Sequence, residues 1–280
     1  MVKFAYSTLV YTGVDFSGEP LEKGLERISK YHYDGVEIVG ELTKVNMPKL
    51  KELLKSFNLE VSSIGGVFPQ GRYLVSSNEK AREAAVEDFR SVVDMASFLG
   101  NPVVVVYPSP VGKVYPDNLE KEWGWAVENI RKVGKYAADK GIRLAIEPWN
   151  RYETYFLNTL RQALDLMKDV GLDNVGVWGD TFHMNIEERS ISAAVEEAKE
   201  DLMHLHVADS NRAAPGQGHI DFVPIVKALK KIGYDKYMCF ELIPAAADPF
   251  FAMKTKKCDE FFDEYTRQSI DYMKTLWSKY

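Results

Sequence analysis

The chain has 280 residues, 46% hydrophobic and 27% charged, with a formal net charge of −6. That length and composition exclude wholesale disorder and a small disulfide-stapled module. The mild acidity argues against nucleic acid or an anionic membrane as partner, and the two cysteines, Cys239 and Cys258, fit a reducing cytoplasm better than a disulfide framework.

No run approaches the ~18 apolar residues of a membrane-spanning helix. The opening segment, Met1 to Val14, reads as a first strand. It carries Tyr, Ser and Thr within its apolar run and lacks the small-residue cleavage pattern of a signal peptide.

In chain order, apolar and β-branched runs predict strands at Phe4–Val10, Gly35–Val39, Glu60–Gly65, Pro102–Tyr107, Arg143–Glu147, Val175–Asp180, Met203–Asp209 and Tyr237–Leu242. Helical patterns lie near 20–32, 46–57, 79–99, 117–140, 158–170, 190–200, 222–232 and 258–279. In the fullest of them, Ala84, Val86, Phe89, Val92, Val93 and Ala96 recur at three- and four-residue steps. No linker or shift in composition marks a second domain, so residues 1–280 are expected to form one. Eight strand–helix units of about 35 residues suit an α/β (β/α)₈ TIM barrel. An open doubly wound sheet would carry a Gly-rich turn after its first strand, and none is present.

The last four predicted strands bring Glu147, Asp180, His206 and Glu241 to their C-terminal ends, at spacings of 33, 26 and 35 residues. Each step is one unit, and that rim is where barrel active sites are built. With Leu144, Ile146, Leu205, Val207, Phe240 and Leu242 facing the helices, period-two alternation turns Glu147, His206 and Glu241 inward. Asp180 sits at a strand tip. Three carboxylates meeting there need a proton or a cation to offset their repulsion. Two Glu, one Asp and one His suit one divalent ion per chain, Mn²⁺ before Co²⁺ or Mg²⁺; Zn²⁺ more often recruits further His or Cys.

Three segments carry more information. Glu147 opens E-P-W-N-R-Y-E-T, Asp180 opens D-T-F-H-M-N-I-E-E, and His206 opens H-V-A-D-S-N-R-A-A-P-G-Q-G-H. These segments resemble the D-tagatose 3-epimerase family, the ketose 3-epimerases of the xylose-isomerase-like barrel superfamily. The resemblance implies that Glu147, Asp180, His206 and Glu241 are metal ligands and that Glu147 and Glu241 are also the catalytic acid/base pair. It implies that Glu153, His183 and Arg212 hold the substrate's oxygens. The expected reaction inverts the carbon next to the carbonyl (C3) of a ketose or keto-sugar acid. Inversion needs a base on each face of that carbon, and the enediolate's charge must be stabilised by the cation, Arg212 and His183. No phosphate cradle is visible, so the substrate is expected to be unphosphorylated.

Rival enzymes on the same site are an aldose–ketose or hydroxypyruvate-type isomerase and an inosose dehydratase. The non-enzyme rival is a silent sugar-binding protein, which would need no pair of bases.

Among the aromatic residues, Trp149, Phe68 and Tyr107, with Tyr6, are candidates for a sugar-pocket wall, whereas Trp178 reads as core. The stretches Gly65–Arg72 and Ile243–Asp259 are expected at the substrate's distal end. His204 reads as one layer below His206, paired with a carboxylate such as Glu37. His219 is expected to orient its loop, His32 to lie on the surface, and Cys239 to be core. The aromatic tail Phe261, Phe262, Tyr265, Tyr272 and Trp277, together with the resemblance, gives the expectation of a homodimer or homotetramer. The equally weighted alternative packs that tail on its own barrel.

Overall fold

Four consecutive valines, Val103–Val106, form a strand buried on both sides, the signature of a parallel sheet covered by helices. Val104 and Val106 pack outward with the helices. Val103 and Val105 point inward with Ala145, Trp178 and Met203 to fill the centre. Each such side chain removed from water contributes about 1.5–3 kcal/mol.

The computed structural model describes residues 2–112, 115–244 and 259–280, with side chains in the last stretch from 262 onward. The strands are β1 (Lys3–Ser7), β2 (Gly35–Gly40), β3 (Glu60–Gly66), β4 (Val103–Val106), β5 (Leu144–Ile146), β6 (Val175–Asp180), β7 (Leu202–Val207) and β8 (Tyr237–Phe240). They close in sequence order into a parallel barrel, with β1 returning to pair with β8 from Lys3↔Tyr237 to Tyr6↔Phe240. The helices are α1 (Leu9–Thr12), α2 (Leu21–Ser29), α3 (Met47–Phe57), α4 (Glu79–Phe98), α5 (Leu119–Ala138), α6 (Leu160–Val170), α7 (Thr181–Glu187), α8 (Ile191–Ala198), α9 (Phe222–Lys231) and α10 (Asp259–Lys279). Among the described residues no helix is long and apolar enough to cross a membrane.

Local chemistry starts the helices. Asn46, Asn78, Asn118, Ser190 and Asp221 cap α3, α4, α5, α8 and α9 by accepting backbone N–H groups. Thr159 and Gln162 form a reciprocal capping box on α6. Gly171 ends α6 in the left-handed conformation, φ 65°.

One expectation is corrected. The apolar run Phe4–Val10 is not one strand: β1 stops at Ser7, and Leu9–Thr12 turn into a short, fully buried helix. Of the two readings of the aromatic tail, the one in which it packs on its own barrel matches the contacts seen. Phe262 meets Tyr11 edge to face, Tyr33 donates its hydroxyl to Thr266 O at 2.7 Å, Tyr272 packs on Phe222, and Tyr265 and Trp277 join the same core. Cys258, the Phe261 side chain and the stretch 245–258 lie outside the described residues.

Candidate active site

The alternation along β5 to β8 runs as the sequence predicts. Leu144, Ile146, Val177, Leu205, Val207, Phe240 and Leu242 all join the outer core, so the positions between them point into the barrel. Glu147 and Glu241 are the first residues beyond β5 and β8. The β6–β7 register places Asp180 opposite His206. All four are at least nine-tenths buried.

Asp180 serves two elements. Its Oδ1 accepts the Phe182 N–H at 2.8 Å and caps α7, leaving Oδ2 for the site. Burial alone would raise its pKa, but Arg212, His183 and His206 hold it well below the usual carboxylate range.

His206 is the hub. Its Nε2 lies 2.8 Å from Glu37 Oε2. Its Nδ1 is buried without a hydrogen-bond partner among the described residues and faces Glu147 Oε1 at 3.5 Å, Glu241 Oε2 at 3.5 Å and Asp180 Oδ2 at 3.8 Å. A buried ring nitrogen left over among three carboxylates is a donor set that fits a divalent cation. Ligand atoms of Glu147, Asp180 and His206 lie within 4.8 Å of one another, a cluster that could bind a divalent metal. Glu241 is not in this tightest set; Arg212 donates to it and to Asp180 Oδ2, the latter at 3.0 Å.

The remaining shifts follow from burial and charge. Burial raises Glu147, against His206. It lifts Glu241 to about 7 against Arg212 and His206. Burial would depress His206, yet Glu37 and Glu241 raise it well above the usual imidazole value.

The residues expected to hold substrate gather on the same rim. His183 Nδ1 accepts the Asn150 backbone N–H at 3.2 Å, which leaves its ring proton on Nε2, turned toward Asp180 Oδ2 at 3.5 Å. Burial, with the charges of Arg212 and His206, holds its pKa down at about 3, so the ring is neutral. Asn150 Nδ2 also donates to Glu153 Oε1 at 2.9 Å. Asn150 lies within the first of the three motifs, but no pattern in the sequence signals this linking role.

Arg212 adopts φ 63°, a left-handed conformation that a non-glycine residue holds only when its surroundings impose it. Its guanidinium lies over Phe182, 4.6 Å from the ring centroid. The loop imposing this is wound around Asp209. That side chain accepts from the N–H groups of Ser210, Gly216 and Ile220 at 2.7, 2.8 and 3.1 Å. A Cβ at Gly218 would stand 2.2 Å from Asp209 Oδ1. His219 holds Ser210 Oγ at 2.9 Å, as a loop-orienting residue would.

A cavity of about 880 Å³ opens above the four acidic and imidazole groups, lined by Trp149, Tyr107, Phe68, Phe89, Phe182 and Glu153 among others. Trp149 stacks on Tyr107 at 5.1 Å. Tyr107 in turn lies 6.1 Å from Phe68. Gly65, Phe68, Arg72, Ile243 and Pro244 also line the cavity.

Two readings are corrected. Tyr6 is no wall, because it is fully buried on the helix side of β1 against Tyr11, Tyr33 and Phe240. Glu37 holds His206, not His204, whose Nε2 instead lies 3.4 Å from Ser63 Oγ. Trp178 and Cys239 are core, as expected, and His32 is exposed.

The family model described as Xylose isomerase-like TIM barrel matches residues 25–276. The chain is 31% identical to the D-psicose 3-epimerase of Agrobacterium fabrum over 218 residues, 75% of each chain. It is 42% identical to that of Ruminiclostridium cellulolyticum over 129 residues, a match spanning 45% of this chain and 44% of that one. The fold superposes on a D-psicose 3-epimerase from Clostridium cellulolyticum, crystallised with D-tagatose, with a TM-score of 0.88, covering 98% of this chain and 99% of the other at 24% identity.

Proposed function

The chain belongs to the xylose isomerase-like TIM barrel family, and within it we propose that it is a metal-dependent epimerase inverting C3 of an unphosphorylated ketose or keto-sugar acid. The observation that carries this reading is the pair Glu147 and Glu241. Their carboxylates approach one imidazole nitrogen at 3.5 Å each, from strands separated around the barrel by two others. A binding protein has no use for two buried bases converging on one point. The named similarity to D-psicose 3-epimerases supports the same reading.

Glu147, Asp180, His206 through Nδ1, and Glu241 would hold the cation, with Mn²⁺ the best match to the mixed donor set and Co²⁺ or Mg²⁺ the alternatives. Such a cation offsets negative charge developing on the sugar's oxygens. One glutamate takes the proton from C3, and the other returns a proton on the opposite face. Burial suits both to this exchange, since it brings their proton affinity closer to neutrality. Arg212 and the Nε2–H of His183, which in the structure face Asp180 and Glu241, would supply donors to the oxygens where charge grows. Glu153, held by Asn150, orients a hydroxyl. Trp149, Tyr107 and Phe68 exclude water from the reacting carbon. One catalytic domain, in a cytoplasmic enzyme, completes the reading, and the buried free thiol of Cys239 fits a reducing compartment.

The test is a panel of ketohexoses, ketopentoses and ketouronates turned over with Mn²⁺ in D₂O. Epimerisation with deuterium at C3 alone is the expected result. Deuterium at another carbon would assign an isomerase, and loss of water a dehydratase.

A further inference from the structure

The cavity is larger than the reaction needs. A ketohexose fills the space of six or seven waters, roughly 200 Å³ at about 30 Å³ per water. The cavity measures about 880 Å³, near the top of the roughly 300–1,000 Å³ range of pockets that take drug-sized ligands.

Depth decides where the surplus space lies. Glu147, Asp180, His206 and Glu241 form the floor, none of them more than 9% exposed. Val67 and Val111 line the same cavity but are 37% and 61% exposed, so they stand at its mouth. A sugar whose reacting carbon reaches the carboxylates on the floor therefore directs its unreactive end outward.

The outer wall on the β1–β4 side is made of the wrong groups to read hydroxyls. It presents Leu9, Val14, Val39, Val67, Phe68 and Val111. The polar side chains on this side are already engaged within the protein. Glu37 is turned down onto His206 Nε2 at 2.8 Å, and Arg72 donates to Asp88 Oδ1 at 3.0 Å. Ser109 Oγ pairs with Thr154 Oγ1 at 2.7 Å, and the Tyr73 hydroxyl accepts the Gly71 N–H at 2.9 Å. Gln70 is exposed to solvent. A site built for a hydroxyl keeps polar groups for it that are left unpaired without it. Apolar side chains standing in water and rimmed by polar ones instead mark a groove that an apolar ligand covers.

We infer that the outer cavity takes an apolar group carried on the far end of the sugar, in ether or ester linkage, so that the substrate class is substituted ketoses. For a ketohexose inverted at C3 the group sits on the C6 oxygen. The inference rests on the 3-epimerase reading, which sets the reacting end on the floor, and the outer wall continues directly from that site.

The experiment compares a 6-O-benzyl ketohexose with its 6-O-methyl counterpart, using Mn²⁺-loaded wild type, Val67→Asp and Val111→Asp. Neither sugar has a 6-hydroxyl and neither can close the six-membered ring, so the size of the apolar group is the difference read. Wild type is expected to favour the benzyl sugar by ~10-fold or more in kcat/KM, the effect of burying a ring of phenylalanine size. A carboxylate at either mouth position is expected to cut that preference by at least ~3-fold, since the ring must then desolvate a charge. The 6-O-methyl sugar should be turned over as by wild type, and both positions are exposed enough for the fold to be kept. Equal kcat/KM for the two sugars in wild type, or a preference unchanged in both variants, would overturn the inference. Turnover of a bare ketose with deuterium at C3 would in that case leave the epimerase reading intact. Wild type that takes up no deuterium from D₂O with any ketose would overturn both.

Discussion

Glu37 and His206 meet across the barrel interior at 2.8 Å, Oε2 to Nε2, although they stand on β2 and β7, which do not pair. Burial alone would raise the Glu37 pKa, but the charge and hydrogen bond of His206 bring it down to about 2. Ser63 donates a further hydrogen bond to the same carboxylate oxygen at 2.9 Å. The pairing fixes the imidazole ring and turns Nδ1 toward Glu147, Asp180 and Glu241. A carboxylate behind a ligating histidine raises its basicity and sets its tautomer.

Replacing Glu37 by Gln should therefore weaken Mn²⁺ binding about 10–100-fold without touching the other three ligands. Titration of metal into the chelated protein, followed by calorimetry, measures this. Unchanged affinity would show that His206 needs no partner behind it.

Glu147→Gln and Glu241→Gln keep side-chain volume and remove the base. Each should lower kcat by ~10²–10⁴-fold, with deuterium uptake at C3 suppressed in both. Metal content must be measured in each variant, since both residues also belong to the proposed ligand set. A variant that keeps its metal and near-full rate would limit the chemistry to one base.

Chelation should abolish turnover, and Mn²⁺ or Co²⁺ should restore it. The same ions should raise Tm, because a ligand that binds only the native cluster stabilises it by mass action and relieves the repulsion of three buried carboxylates. Thermal scans with and without chelator check both at once.

At the opposite end of the barrel, Lys3 donates to Glu60 Oε2 at 2.6 Å, and Tyr237 donates to the same oxygen. These two bonds lower the Glu60 pKa. A lowered carboxylate pKa contributes stability above the unfolded value of about 4.3 and loses it as pH falls through the folded value. The pair is largely exposed, so Glu60→Gln should cost less than about 1 kcal/mol at pH 7. The difference from wild type should close below about pH 4. Urea unfolding at the two pH values measures it, and turnover at pH 7 should not change.

Much of the site is legible in the sequence because one chemistry-bearing residue ends each of four successive units, and period-two alternation settles which way three of them face. Alternation gives the face of a strand but not the height. Glu37 and His204 are both correctly inward, yet the β2–β3 pairing skips Ser62 between Val36 and Glu37, and the β6–β7 pairing skips Met203 between Val177 and Trp178. Such irregularities re-aim side chains, so alternation alone does not say which imidazole Glu37 meets. The end of β1 was hidden for a different reason. Every residue of Leu9–Thr12 is buried, and a fully buried helix shows the same unbroken apolar run as a strand. The short helix α7 is likewise invisible until Asp180 is seen capping it.

The loop wound around Asp209 ties Arg212 to a distant part of the chain. A Cβ at Gly216 would come within 2.9 Å of the Tyr272 ring, so α10 braces the loop from outside while Asp209 holds it from within. If Arg212 holds the sugar as proposed, the sugar meets backbone that is already ordered, and no binding energy is diverted to ordering it. The last helix thus acts as a mechanical stay for a side chain on the opposite side of the sequence's final strand. Tyr272→Ala, which withdraws this brace and leaves the buried face of α10 in place, is expected to surface first as a loosened grip on substrate, ahead of any loss of the barrel itself.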